Sequence, residues 1–310
     1  MMSSDFLPKK RSNVLVPPIK MQGIKSKLVN FISESVRWDG EGKWVEPFLG
    51  SGVVVFNIQP EEALLGDKNK YVIKFYQKVK SGEIDGAKVR NFLEEHGARL
   101  KEEGEDYYYK MRDRFNENGK VLYMLFLNRS CYNGMMRFNL DGEFNTPFCK
   151  KPNRFRKAYV TKIVNQVKKV SKVLKHKGDK WKFRVWDWKK TLQEATNNDF
   201  IYLDPPYVGR HTGYVGKWNE EDAKMLAHSV QDTPAGFAFS MWLENDYRKN
   251  EHIEKFWSNY PTRSFSHYYH VGSTEDLRNS MEEGLIIKEG YQADIEEELE
   301  NREQKELFSN

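Results

Sequence analysis

Only two cysteines occur in 310 residues, Cys131 and Cys149, and they stand far apart. That excludes a disulfide framework and offers no zinc pattern, so a reducing, cytoplasmic setting is expected and no metal. No apolar run approaches the length of a membrane span. The leading "MMSSDFLPKKRSN" has basic residues with no apolar stretch behind them, which does not read as a secretory signal. No internal repeat is present. The glycine turn "EPFLGSG" carries two glycines, and Val55 stands where a third would complete a dinucleotide fingerprint. Such a turn fits a cofactor without a pyrophosphate, approached closely at an amino-acid or ribose moiety.

What the chain does have is a globular composition, 39% hydrophobic and 31% charged. Its length suits one large α/β domain with an inserted lobe, or two modest domains. The net charge of +5 is unevenly spread. Lysine and arginine crowd residues 137–182, whereas the final "ADIEEELENREQKE" is acidic. Either a solvated lysine face or a surface meant for phosphates accounts for the basic stretch.

"KWVEPFLGSG" reads as a strand entering a turn, with "VVVFNI" opening the next element, and "EALLGDKN" as a second strand ending at Asp67. "KYVIKFYQKVKSG" has helical periodicity, with Val72, Ile73, Tyr76 and Val79 on one face. From Ser81 to Pro152 the pattern turns helical, then to an Asn-Gly and Asp-Gly stretch, "CYNGMMRFNLDGEFNTPF", that predicts a β-hairpin. A helix near Ala158–Leu174 and the strands "KFRVWDW", "DFIYLDPPY", "AGFAFSMW", "SFSHYYHV" and "EGLIIKEGY" resume the α/β pattern, with helices at "EEDAKMLAHSV" and "NEHIEKFWSNY". A short helix is also expected near Lys27 to Ile32. The expected fold is an open, mostly parallel α/β sheet with an inserted, mainly helical lobe.

"FIYLDPPY" carries the chemistry. In an open α/β sheet ligands sit beyond the carboxyl ends of the strands, where Asp204 lies. Pro205 and Pro206 remove two N–H donors and stiffen the loop, leaving a niche that only accepts hydrogen bonds. An NH₂ group fits it, and Tyr207 offers a flat face for the ring that bears the amine. Adenine and cytosine both meet that description. Accepting the amine's hydrogens frees a lone pair otherwise delocalised into the ring, so that it can attack a methyl group. The alternative is that Asp204 merely caps a following helix.

With "VEPFLGSGVVVFN" upstream, and "GDKN", "NRSCYNGMMRFN" and "GEFNTPF" in that order, the chain resembles the Dam-like (α-group) DNA adenine-N6 methyltransferases over residues 14–290. "VPPIKMQGIKSKLV" and "FCKKPNRF" are most similar to its EcoRV-type, restriction-modification branch. The resemblance implies a Rossmann-like methyltransferase sheet from residues 14–80 and 158–290. It implies a target-recognition domain over 81–157, flexible tails at 1–13 and 291–310, and a monomer. It implies S-adenosylmethionine as cofactor and double-stranded DNA as partner, with base flipping before transfer, and no membrane. GATATC, methylated at its first adenine, is the expected site, with GATC the alternative.

The same resemblance assigns catalysis to Asp204, Pro205, Pro206 and Tyr207. Cofactor binding falls to Met21, Gly23, Lys25, Glu46, Pro47, Phe48, Gly50, Gly52, Asp67, Asn69, Asp187 and Trp188. Asp67 follows Gly52 by about 15 residues, a spacing similar to that of acids gripping ribose hydroxyls. Met21 and Ile24 replace a tryptophan and a glycine of the family's lysine-bearing motif. DNA binding falls to Lys20, Arg129, Tyr132, Asn133, Arg137, Lys150, Lys151 and Arg154, with Tyr132 entering the base stack, Arg137 reading guanine and Arg129 positioning phosphates or bracing the hairpin; the alternative is that Tyr132 and Arg137 simply pack the lobe. The terminal "QKELF" resembles peptides that dock on a replication sliding clamp through Gln304, Leu307 and Phe308. Cytosine-N4 methylation and a non-catalytic DNA-binding module are the competing readings.

Overall fold

Short, continuous apolar runs build the centre of the molecule. The computed structural model describes residues 6–21, 23, 25–207, 218–245, 248–268 and 280–293. Five strands run parallel: β1 (Lys43–Glu46), β2 (Glu62–Asp67), β3 (Trp181–Val185), β4 (Phe200–Leu203) and β5 (Gly236–Asn245). The short β6 (Arg248–Lys249) turns back on β5, while β7 (Thr262–Tyr268) and β8 (Ser280–Ile287) close the sheet antiparallel. The order is β3-β2-β1-β4-β5-β8-β7. The chain steps outward from β1 to β3, then crosses back to place β4 on the other side of β1. That reversal opens a crevice at the carboxyl ends of β1 and β4.

Every residue of β4 is buried because helices cover both faces of the sheet. Phe200 and Tyr202 join Trp44 on one face; Ile201 and Leu203 join Val45 and Leu64 on the other. The second face is covered by α8 (Trp188–Gln193) and α9 (Glu220–Gln231). The first is covered by α1 (Val29–Ser35), α2 (Val53–Ile58), α3 (Lys70–Lys80) and α7 (Lys157–Lys177). The expected α3 stripe, Val72, Ile73, Tyr76 and Val79, is fully buried.

Between α3 and α7 lie α4 (Gly86–Glu103), α5 (Glu105–Asn118) and α6 (Val121–Ser130). Their buried side chains, such as Leu93, Tyr108 and Phe126, belong to the same hydrophobic cluster as the sheet's first face. The stretch after α6 doubles back as the expected hairpin does, but without regular strands. It holds two isolated antiparallel bridges, Cys131 with Phe148 and Phe138 with Phe144, and no strand. The backbone pairs across it, Tyr132 N donating to Pro147 O at 2.9 Å, Asn145 N to Arg137 O at 3.0 Å and Asn139 N to Glu143 O at 2.9 Å, and side chains add to this: Asn139 accepts from the backbone of Asp141 and Glu143, and Thr146 accepts from Arg137 N.

The expected helix at "NEHIEKFWSNY" is one widened turn, Ile253–Trp257. Residues 6–13, expected as part of a flexible tail, are tied down: Leu7 bridges Trp38, and Arg11 Nε donates to Asn57 O at 2.6 Å. At the other end Ala293 N donates to Ser35 O at 3.1 Å. The glycine-rich loop after Tyr207, and the clamp-like Gln304, Leu307 and Phe308, lie outside the described residues. No helix among the described residues is long and apolar enough to cross a membrane.

Candidate active site

The turn after β1 is built on glycine conformations. Gly50 and Gly52 have φ of 51° and 70°, and a Cβ on Gly52 would sit 2.9 Å from the Phe56 ring. Leu49 N donates to Gly66 O at 2.9 Å, and the Tyr76 hydroxyl donates to Ser51 O at 2.5 Å. Asp67, at the end of β2, clamps this turn. Its Oδ2 accepts from Gly50 N at 2.9 Å and its Oδ1 from Asn69 N at 2.7 Å. Burial pushes the Asp67 carboxyl up, against the pull of those two backbone donors. Asn69 caps α3 by accepting from Tyr71 N and Val72 N.

Across the crevice, β4 delivers Asp204. A helical turn at Lys25–Lys27 brings in Lys25, which is 3% exposed. Its ammonium lies 3.1 Å from Asp204 Oδ1, donates to Tyr207 Oη at 2.8 Å, and lies 3.4 Å from Glu283 Oε2 on β8. Burial alone would favour the neutral amine. Asp204, Tyr207 and Glu283 more than offset it, and the Lys25 pKa rises well above the lysine range. Asp204 is raised to about 6 by burial and by Glu283, with Lys25 pulling the other way. Glu46, which accepts from Trp44 Nε1 at 2.9 Å, is raised to about 8, chiefly by burial and also by Asp204.

These groups wall one cleft between the glycine turn and the end of β4. Of the expected cofactor residues, Met21, Gly23, Lys25, Glu46, Pro47, Phe48, Gly50, Asp67, Asn69 and Trp188 line it, with Asp204 and Pro206. Two do not. Gly52 turns inward against Phe56 as the first residue of α2's cap. Asp187 caps α8 and pairs with Lys68 at 2.6 Å, so only its neighbour Trp188 faces the cleft. Lys25 is engaged by Asp204, Tyr207 and Glu283, which ties it to the "DPPY" loop more than to a cofactor carboxylate. The sequence reading missed Tyr202, Lys68 and Trp218; the Trp218 ring meets Phe48 edge-on at 5.6 Å. A second cleft, bordered by Pro205, Pro206, Tyr207, Phe239, Met241 and Trp257, meets the first at Pro206 and Trp218.

The expected DNA-facing residues separate into two groups. Tyr132 is 49% exposed, and Asn133, Arg137, Lys150 and Lys151 are also exposed. Arg129 is 3% exposed and cannot meet a duplex: it donates to Pro18 O at 2.7 Å and to Gln166 Oε1 at 2.6 Å. Arg154 is half-buried, donating to Arg129 O and Tyr159 Oη. Lys20 is half-buried too. Its backbone N–H and carbonyl pair with the Asn128 amide, which also donates to Gly134 O, so the Tyr132–Gly134 turn adjoins the segment leading to Lys25.

Residues 22–275 match the D12 class N6 adenine-specific DNA methyltransferase family. The chain belongs to that family. It is similar to the Type II methyltransferase M.MjaIII of Methanocaldococcus jannaschii, with 30% identity over 68% of this chain and 78% of that protein. It is 30% identical to a DNA adenine methylase of Haemophilus influenzae over 64% of this chain and 68% of that one. A DNA adenine methylase of Serratia marcescens is 28% identical over 59% and 67%. For a member of this family, a carboxylate with one oxygen on Lys25, beside an aromatic-walled cleft, fits methylation of an adenine amine in DNA.

Proposed function

We propose that this adenine-N6 methyltransferase takes its methyl group from S-adenosylmethionine bound in the first cleft, and delivers it to an adenine turned out of duplex DNA. The observation that carries the reading is Asp204 at the wall of that cleft, with Oδ1 beside the Lys25 ammonium and Oδ2 bonded to no described residue. The cleft suits a cationic nucleoside. Phe48, Trp188 and Trp218 offer ring faces and edges, and Glu46, Asp67 and Asp204 offer carboxyls. Each Asp67 oxygen accepts one backbone proton and keeps a lone pair for a ribose hydroxyl.

When bound, S-adenosylmethionine supplies an electrophilic methyl on a sulfonium centre. The protein prepares the nitrogen. Asp204 Oδ2 and the Pro205 carbonyl accept the two amine hydrogens, and the freed lone pair is held in line. Methylation leaves the nitrogen with a surplus proton, which Asp204 Oδ2 can accept. Lys25 stays charged and keeps Oδ1 occupied, so the amine is directed to Oδ2.

In this reading residues 81–157 recognise the target and 14–80 with 158–290 carry out transfer. Tyr132 fills the gap left by the flipped base, at a cost of a few kcal/mol in lost stacking. Asn133 sits beside it, Arg137 reads a guanine edge, and Lys150 and Lys151 meet phosphates. The EcoRV-type resemblance favours GATATC over GATC. The test is transfer of a tritiated methyl from S-adenosylmethionine to duplexes bearing each site, followed by nucleoside digestion. Label in N6-methyladenine, with GATATC preferred, is expected. No transfer would overturn the cofactor reading, and equal or greater label in GATC would overturn the site.

A further inference from the structure

Glu283 is out of place for a strand residue. It lies on β8, opposite Trp242 on β5 and Phe265 on β7, and shares its face with Leu285 and Ile287. Both of those are buried in the main hydrophobic cluster, and Glu283 itself is 1% exposed. A carboxylate at a core position costs several kcal/mol unless it is paired. Among the described residues, the Lys25 ammonium lies 3.4 Å away. Lys25 in turn contacts two members of the "DPPY" loop, Asp204 and Tyr207. Three segments distant in the chain thus meet at one ammonium.

We propose that Glu283 is a positioning residue for methyl transfer: by gripping Lys25 from the strand side, it fixes the ammonium that orients Asp204 and Tyr207. The strand is the rigid partner in this arrangement. β8 is hydrogen-bonded on both edges, to β5 and β7, whereas Asp204 and Tyr207 sit on a loop. Without Glu283, Lys25 would swing fully onto Asp204 and compete with the amine for its oxygens. The proposal rests on the methyl-transfer reading above.

The charge leaves a second signature. Asp204 faces Lys25 from the helical turn, Glu46 from β1, Tyr202 from β4, Tyr207 from its own loop and Glu283 from β8. Of these, Glu283 adds negative charge that holds the Asp204 proton on, while Lys25 drives it off. Removing the Glu283 charge therefore lowers the pH at which Asp204 ionises.

The experiment compares wild type, Glu283→Gln and Glu283→Asp in methyl transfer to duplex DNA across pH 5 to 9. For Glu283→Gln, kcat is expected to fall about 10- to 100-fold, the scale of a small misplacement at a reacting centre. KM for S-adenosylmethionine and for DNA should stay within about twofold, since binding contacts are untouched. The acid limb of the kcat profile should move to lower pH, which a purely structural defect would not do. Wild-type kcat and an unmoved limb overturn the proposal while leaving the transfer reading intact; an inert wild type overturns both. If the amide variant does not fold, Glu283→Asp carries the test. Its charge is kept but withdrawn from Lys25, a several-fold loss of kcat is expected, and full activity overturns the proposal.

Discussion

Asp67 and Asp204 invite comparison. Both end a parallel strand next to β1, both stand in the wall of one cleft, and burial raises both carboxyls. They are held differently. Asp67 spends each oxygen on a backbone N–H, at 2.9 and 2.7 Å, and those donors belong to the glycine turn and the cap of α3. Asp204 is held at one oxygen by the side chain of Lys25. Backbone donors cannot leave without deforming the fold, so Asp67 is part of the frame that shapes the cleft. Lys25 occupies one oxygen only, so in the proposed mechanism the second is left to accept from the substrate amine. Under the proposed mechanism the same residue type at the same kind of position serves architecture in one place and chemistry in the other, and the hydrogen-bond partners decide which.

The sharpest way to break the comparison is to remove acceptor capacity from each acid in turn. Asp204→Asn keeps size and shape but replaces one carboxylate oxygen with a donor and removes the charge that faces Lys25. Loss of a single preorganised group at a transition state costs about 100- to 1,000-fold in kcat. A loss of that order is expected in a tritiated-methyl assay, with the thermal midpoint near wild type and cofactor binding retained. If Asp204→Asn kept more than about a tenth of wild-type kcat, the functional half of the comparison would fail.

Asp67→Asn should do the reverse. One of two backbone donors, Gly50 N or Asn69 N, would face an amide N–H in place of an oxygen. An unsatisfied buried donor costs about 1–3 kcal/mol. That cost should appear as lower stability in urea and as a raised KM for the cofactor, because the glycine turn loosens. The kcat at saturating cofactor should fall far less than for Asp204→Asn. A variant of wild-type stability and KM would show that Asp67 does not hold the turn.

The two acids were legible for the same reason. Each ends a short apolar run, and in an α/β sheet that position is where ligands gather. The α3 stripe was legible because a single face of a 3.6-residue period was filled. What was not legible depends on partners distant in the chain. Glu283 sits in "SMEEGLII" beside another acid, and only the register with β5 and β7 decides which of the two points into the core. Arg129 could be read as a phosphate contact or as a brace, and only its distant partners Pro18, Gln166 and Tyr159, which together satisfy it, decide for a bracing role. Asp187 matched a cofactor position in the sequence, but the nearby Lys68 captures it. The stretch 131–148 carries Asn-Gly and Asp-Gly signals of a hairpin, and it does double back, but its backbone pairs at isolated bridges and not as regular strands.

The smallest effect, and the one that tests the charge on Asp204 without a mutation, is the response to pH. Its carboxyl is raised from 3.8 to about 6 by burial and Glu283, net of Lys25. Only the ionised form can take up the proton that methylation leaves on the nitrogen, so kcat should be about half its plateau value near pH 6 and fall tenfold per unit below that. Stability moves the opposite way. Between about pH 4 and 6 the native state holds a proton that the unfolded chain has released, so this group's contribution to stability declines as pH rises across that window and is level above it. Glu46, raised to about 8, has the same sign over a wider range, so a Glu46→Gln background isolates the Asp204 share in urea titrations at pH 4 to 7. Activity that rises while stability falls over one window marks a carboxylate kept for chemistry. A kcat that stays flat to pH 5 would show that Asp204 is ionised well below that range, with Lys25 outweighing the burial.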